Sequence, residues 1–154
     1  MQFLFLFFLA AINFYFSSGS AWALDSKKQL PRTSLSIGAS QLDVAIAADQ
    51  ASCEQGLMKQ KTLGANEGML FIFPSPQRVA FWMKDTSLPL SIAYLTSSGR
   101  IVEIHDLEPF DEHSVLSSSS AIVYVIEAPR GWFAKHQILP GDSVQGLPHF
   151  SSAK

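Results

Sequence analysis

Met69-Leu70-Phe71-Ile72-Phe73 is an unbroken apolar run, cut off by Pro74 and Pro76. A run this short, rich in aromatic and branched side chains and closed by prolines, suits a strand buried on both faces. Val79–Lys84 (VAFWMK) reads as the next strand. Leu90–Thr96 and Gly99–His105 flank Ser97-Ser98-Gly99 and form a hairpin pattern. Asp106–Ser120 is polar and reads as loop, and Ala121–Glu127 (AIVYVIE) returns to strong strand composition. Upstream, Gln41–Ala48 alternates, with Leu42, Val44 and Ile46 on one face, as a half-buried strand does. Asp49 can cap a helical turn over Gln50–Met58, which Gly56 keeps brief at a cost of about 1 kcal/mol relative to Ala. Downstream, Pro129 suits the first turn of a helix reaching Gln137, and Pro140-Gly141-Asp142 turns the chain into a last strand around Val144. Regular helices do not alternate with these strands, so a doubly wound α/β fold is excluded. The expected fold is mainly β (α+β). It is a small barrel- or sandwich-like sheet of about six to eight short strands, with one or two short helices.

The N-terminus has a different character. Phe3–Phe16 is almost wholly apolar, Ser17–Ser20 interrupts it, and Ala21-Trp22-Ala23 supplies small residues two apart. This is the pattern of a signal peptide cleaved after Ala23, although no Lys or Arg precedes Lys27. The competing reading is a retained membrane anchor. The strongly apolar part amounts to roughly 21 Å of helix against a bilayer core of about 30 Å, which favours removal. The expected organisation is a signal peptide over 1–23, a linker over 24–40, one domain over 41–147 and an unstructured tail over 148–154. The expected location is periplasmic or extracellular, with no stable membrane span after cleavage.

All charged residues lie beyond position 24 and sum to −2, without a basic stripe, so nucleic acid is not an expected partner. Cys53 is the single cysteine, which leaves an exported domain to be held by its core and reads as a small packed residue.

Several short motifs occur in one order and spacing: Gly56-Leu57-Met58, Glu67-Gly68-Met69-Leu70-Phe71, Phe81-Trp82-Met83-Lys84-Asp85-Thr86 and Pro89-Leu90. Gly99-Arg100-Ile101-Val102, Tyr124-Val125-Ile126-Glu127, Gly131-Trp132-Phe133 and Gly141-Asp142 continue the series. Together they resemble the domain-of-unknown-function (DUF) 192 family over roughly residues 41–144. The resemblance implies a compact, mainly β domain, often behind an export signal, and implies no reaction or cofactor. Family members usually carry Asn where this chain has Asp85, and Arg near Gln60; many have Asp at Ser91.

Period-2 geometry along Val79–Lys84 puts Val79, Phe81 and Met83 on one face and Ala80, Trp82 and Lys84 on the other. If the first face is core, an indole and an ammonium stand together, with Asp85 and Thr86 in the turn beyond. Such a set can hold a small polar ligand or an envelope component. Trp82, Lys84, Asp85, Thr86 and Glu67 are therefore the candidate ligand-binding residues. The bland alternative packs Trp82 under a loop and leaves Lys84 and Asp85 to solvate a turn, giving a purely structural domain.

A hydrolase or lyase reading would use Lys84, Asp85 and Glu67 as an acid–base set, yet adjacent opposite charges hold a lysine protonated. No nucleophile elbow, phosphate loop or HExxH occurs. His105–His113 carries two histidines and four carboxylates, but its spacing matches no known metal loop and reads as a solvated acidic loop. The sequence thus points to an exported, non-catalytic binding or interaction module with no cofactor and no metal.

Overall fold

The computed structural model describes residues 29–149. The expected signal peptide and the last residues of the tail lie outside them. Nine strands and two short helices follow in the order β1 (Arg32–Ile37), β2 (Ser40–Ala47), α1 (Gln50–Gln55), β3 (Glu67–Gln77), β4 (Ala80–Phe81), β5 (Leu90–Thr96), β6 (Ile101–Leu107), β7 (Val115–Leu116), β8 (Ile122–Pro129), α2 (Trp132–Lys135) and β9 (Val144–Gln145). Seven strands form one sheet in the order β6-β5-β8-β3-β2-β1-β9, and β4 pairs with β7 in a second, two-stranded sheet. Neighbours in the large sheet are antiparallel except β2 and β3, which are parallel and joined through α1. The sheet curls into a half-barrel. Its two ends meet where Ile101 N donates to Asp142 O and Val144 N donates to Gly99 O, both at 2.9 Å, beside the Arg100–Ser143 bridge.

Two apolar cores lie on opposite faces of this sheet. Along β3, Met69 and Phe71 enter one core and Leu70 the other; along β5, Ile92 and Tyr94 oppose Ala93 and Leu95. Strand β8 sends Tyr124, Ile126 and Ala128 to the core under α2, and Val125 to the core under α1. A strand with apolar partners on both faces needs no polar side, and this explains the unbroken runs in the sequence.

The structure departs from the sequence expectation at five places. Arg32–Ile37, placed in the linker, is strand β1: Leu35 and Ile37 alternate with Ser34 and Ser36, and Gly38 at φ +58° turns the chain into β2. Strand β3 does not stop at Pro74 but runs to Gln77. Its pairing with β8 jumps from Ile72–Tyr124 to Gln77–Ile122, so both prolines sit in a bulge where no ladder N–H is required. The Val79–Lys84 strand shrinks to Ala80–Phe81, because β7 offers only two residues to pair with and Asp85 turns away at φ +53°. Strand β7 lies within the segment expected to be loop. Pro129 ends β8 instead of opening a helix, and α2 is only Trp132–Lys135, entered through Gly131 at φ +75°. Tyr124 Oη donates to Pro148 O at 2.8 Å and ties down the start of the segment assigned to the tail. Among the described residues, no helix is long and apolar enough to cross a membrane.

Gly68 sits where the β8 backbone passes close to β3. A Cβ there would lie 2.3 Å from the Glu127 carbonyl oxygen, a backbone atom that cannot rotate away. Gly68→Ala is therefore expected to cost about 2 kcal/mol through forced strand displacement. Urea denaturation would measure this as a lower midpoint at unchanged slope.

Candidate ligand pocket

Helix α1 and the β4–β7 sheet stand apart on the same face of the curled sheet, and a pocket of about 850 Å³ opens between them. Asp49 starts α1 as its sequence position suggests: the Ser52 amide donates to Asp49 Oδ1 at 2.9 Å, and the Asp49 amide donates in return to Ser52 Oγ. The helix buries none of its residues and rests on the sheet through the following turn, where Leu57 is buried. On the opposite side, Tyr94 Oη donates to Val115 O at 2.7 Å and anchors the small sheet. Phe81 packs edge-on against Phe71, Phe73 and Tyr94, with ring centroids 4.9, 6.5 and 6.2 Å away.

The walls so formed are Gln50 and Cys53 from α1, Phe71 and Phe73 from β3, and Phe81 and Trp82 from the β4 segment. Burial, with Asp49 nearby, pushes the Cys53 thiol above its ordinary value, and Sγ contacts Ala47 O at 3.5 Å. It is a packed thiol, not an activated nucleophile.

Glu127 contributes the pocket's most unusual group. Lying two residues beyond Val125 on β8, it follows the same face and lines the pocket while only 4% exposed. Neither carboxyl oxygen has a hydrogen-bond or ion-pair partner among the described residues, and desolvation alone pushes its pKa up to about 8. At neutral pH it is a carboxylic acid, able to donate a hydrogen bond.

The five residues singled out from the sequence do not form one cluster. Trp82 is 44% exposed and lines the pocket, and Lys84 stands on the same side with Nζ 5.2 Å from the indole centroid. Lys84 is exposed and takes part in no ion pair among the described residues. Asp85 adopts the left-handed conformation that Asn and Asp tolerate best, and its carbonyl accepts from Lys59 N at 2.9 Å. This backbone requirement accounts for both Asp here and the Asn usual in similar chains. Thr86 lines the pocket but is buried, with its hydroxyl donated to Lys84 O and its carbonyl accepting from Phe110 N. Glu67 lies elsewhere, beside a second cavity of about 460 Å³. There it accepts from Gly64 N at 2.9 Å and Arg32 at 3.3 Å.

Of the two histidines in the acidic segment, His105 lies on β6, where its Nε2 bonds Glu103 at 3.0 Å, and Nδ1 of His113 bonds Asp111 at 2.7 Å. No three His, Cys, Asp or Glu side chains among the described residues are placed to hold a metal ion.

The sequence reading missed Glu127. Its signal was a carboxylate placed where β-strand alternation demands a buried side chain, at the end of an otherwise apolar run.

Fold and cavity together define a small curled-sheet domain with a ligand-sized pocket. The chain belongs to the DUF192 family, described as an uncharacterized ACR, whose model matches residues 33–146. Among curated proteins nothing matches. A Sinorhizobium meliloti 1021 structure, described as a candidate transcription regulator, is 34% identical with a TM-score of 0.70. That match covers 75% of this chain and 92% of the other. A protein of unknown function from Novosphingobium aromaticivorans DSM 12444 is 28% identical with a TM-score of 0.69, covering 79% of this chain and 89% of its own.

The Glu127 environment has a measurable consequence for stability. The folded chain holds this proton to about pH 8, whereas an unfolded glutamate loses it near pH 4.3. Between those limits the folded state binds more protons, so the Glu127 contribution to stability falls as pH rises, by at most about 1.4 kcal/mol per pH unit. Glu127→Gln is expected to remove that slope and to be more stable than wild type at pH 8. Thermal unfolding of both proteins across pH 5–8 checks it, and parallel profiles would show that the carboxyl is not desolvated.

Proposed function

We propose that this chain is an exported, non-catalytic binding module that holds a small molecule in the pocket between α1 and the β4–β7 sheet. One observation carries the reading: the pocket has the volume of a small-molecule site, four aromatic side chains in its lining and the carboxyl of Glu127 inside it. Trp82 sits exposed in its wall, where an indole offers a flat apolar platform. A hydrolase or lyase built on Lys84, Asp85 and Glu67 has less support, since Glu67 is occupied by Arg32 and Gly64 beside the other cavity. Export is supported by the apolar Phe3–Phe16 stretch and the Ala21-Trp22-Ala23 site. Periplasmic or extracellular placement follows from that leader.

Both parts are open to test. Expressed with its leader in a bacterial host, the chain is expected outside the cytoplasm with Leu24 as its first residue; cytoplasmic protein with an intact N-terminus would contradict export. A set of aromatic fragments of neutral, cationic and anionic character should include members that quench Trp82 emission and raise the melting temperature. Ala80→Trp, which adds bulk inside the pocket, should abolish both effects. Fragments that stabilise wild type and Ala80→Trp equally, or a set that leaves Trp82 emission unchanged, would remove the pocket as a binding site.

A further inference from the structure

Glu127 is 4% exposed as a whole residue, its carboxyl has no hydrogen-bond partner among the described residues, and it lines the pocket, so a ligand that enters the pocket can reach it. Burying a carboxyl with no partner is costly, and a site does so at no gain to folding. What chemistry would satisfy it follows from the groups around it.

From α1 the pocket receives Asp49, Cys53 and Glu54; from the β3–β4 connection it receives Arg78. Tyr94 on β5 feels the Glu127 charge, and its phenol is held neutral by burial. The carboxyl groups thus outnumber the one cation. Arg78 Nε donates to Ser117 O at 2.9 Å. An anionic ligand would meet Asp49 and Glu54 and would hold Glu127 in its acid form. A cationic one would meet carboxylates and the π systems of Phe71, Phe73, Phe81 and Trp82, which attract positive charge. Lys84 already rests its ammonium over the Trp82 ring at the pocket wall. The buried carboxyl is the partner for a ligand's charge.

We propose that the pocket selects an organic cation, an ammonium group carried on an apolar or aromatic body, and that Glu127 is the residue that recognises it. The inference rests on the pocket reading above and adds the ligand's charge and the residue that reads it. Binding converts Glu127 from acid to carboxylate, so each ligand bound releases a proton while the solution is below about pH 8. Affinity then rises about tenfold per pH unit up to that point and levels off above it.

The experiment is calorimetric titration of the protein with 2-phenylethylammonium, neutral 2-phenylethanol and phenylacetate at pH 6, 7 and 8, in two buffers of different ionisation enthalpy. The ammonium is expected to bind most tightly, to strengthen about fiftyfold from pH 6 to pH 8, and to release close to one proton at pH 6. Glu127→Gln should lose at least tenfold in ammonium affinity at pH 8 and all of the pH dependence, and should leave 2-phenylethanol unchanged. Tighter binding of the alcohol or of phenylacetate would overturn the proposal while leaving the pocket intact, as would ammonium binding independent of pH. If none of the three binds to folded wild-type protein, the pocket reading falls with it.

Discussion

The alternation of side chains across the pleat of β8 and β3 is the constraint on which the rest of this structure depends. Every second residue must enter the core beneath α1, whatever its chemistry. Phe71, Val125 and Tyr94 meet that demand with apolar bodies, but Glu127 must follow with a carboxyl group. A one-residue slip would carry Glu127 into the opposite core and displace Tyr124, Ile126 and Ala128 from it, so the register cannot yield. Gly68 tightens the arrangement further, because the β8 backbone passes too close for any side chain there. The acid is buried because its strand is.

Burial alone would make Glu127 a defect. It becomes a feature of a site because the covering layer is incomplete. Helix α1 buries none of its own residues, and the β4–β7 pair is only two residues long on each strand, so neither closes over the carboxyl. The gap between them has aromatic walls, and the Phe71–Phe81–Tyr94 edge contacts hold those walls in place without filling it. The overall fold is similar in the Sinorhizobium and Novosphingobium structures, at TM-scores of 0.70 and 0.69.

How much of this was legible in the sequence varies with the kind of signal. The mainly β class, β2, the β5–β6 hairpin, β8 and the Asp49 cap are local patterns of period two or of capping chemistry, and they were readable. Strand β1 was hidden because Leu35 and Ile37 give only one alternation before Gly38. The length of β3 was hidden because its prolines fall in a bulge created by a distant partner, β8. On the β4 segment, the shared side of Trp82 and Lys84 was legible, and so was the burial of Val79 and Met83 on the other side. The pocket was not, since its two walls are separated in sequence and only the sheet brings them together. Glu67 was placed with Trp82 for want of any signal that Arg32 and Gly64 would claim it. Glu127 is the instructive case: its position in an apolar run was visible, but its meaning required knowing that nothing stood opposite.

The central claim is that Glu127 is a buried, unpartnered acid. The most direct measurement is the titration of its side-chain carboxyl carbon by NMR in the ligand-free protein, assigned by comparison with Glu127→Gln. A midpoint near pH 8 is the result expected from its burial. A midpoint near the ordinary glutamate value of about 4.3 would mean that the fold does not penalise the ionised carboxyl, and would contradict the account.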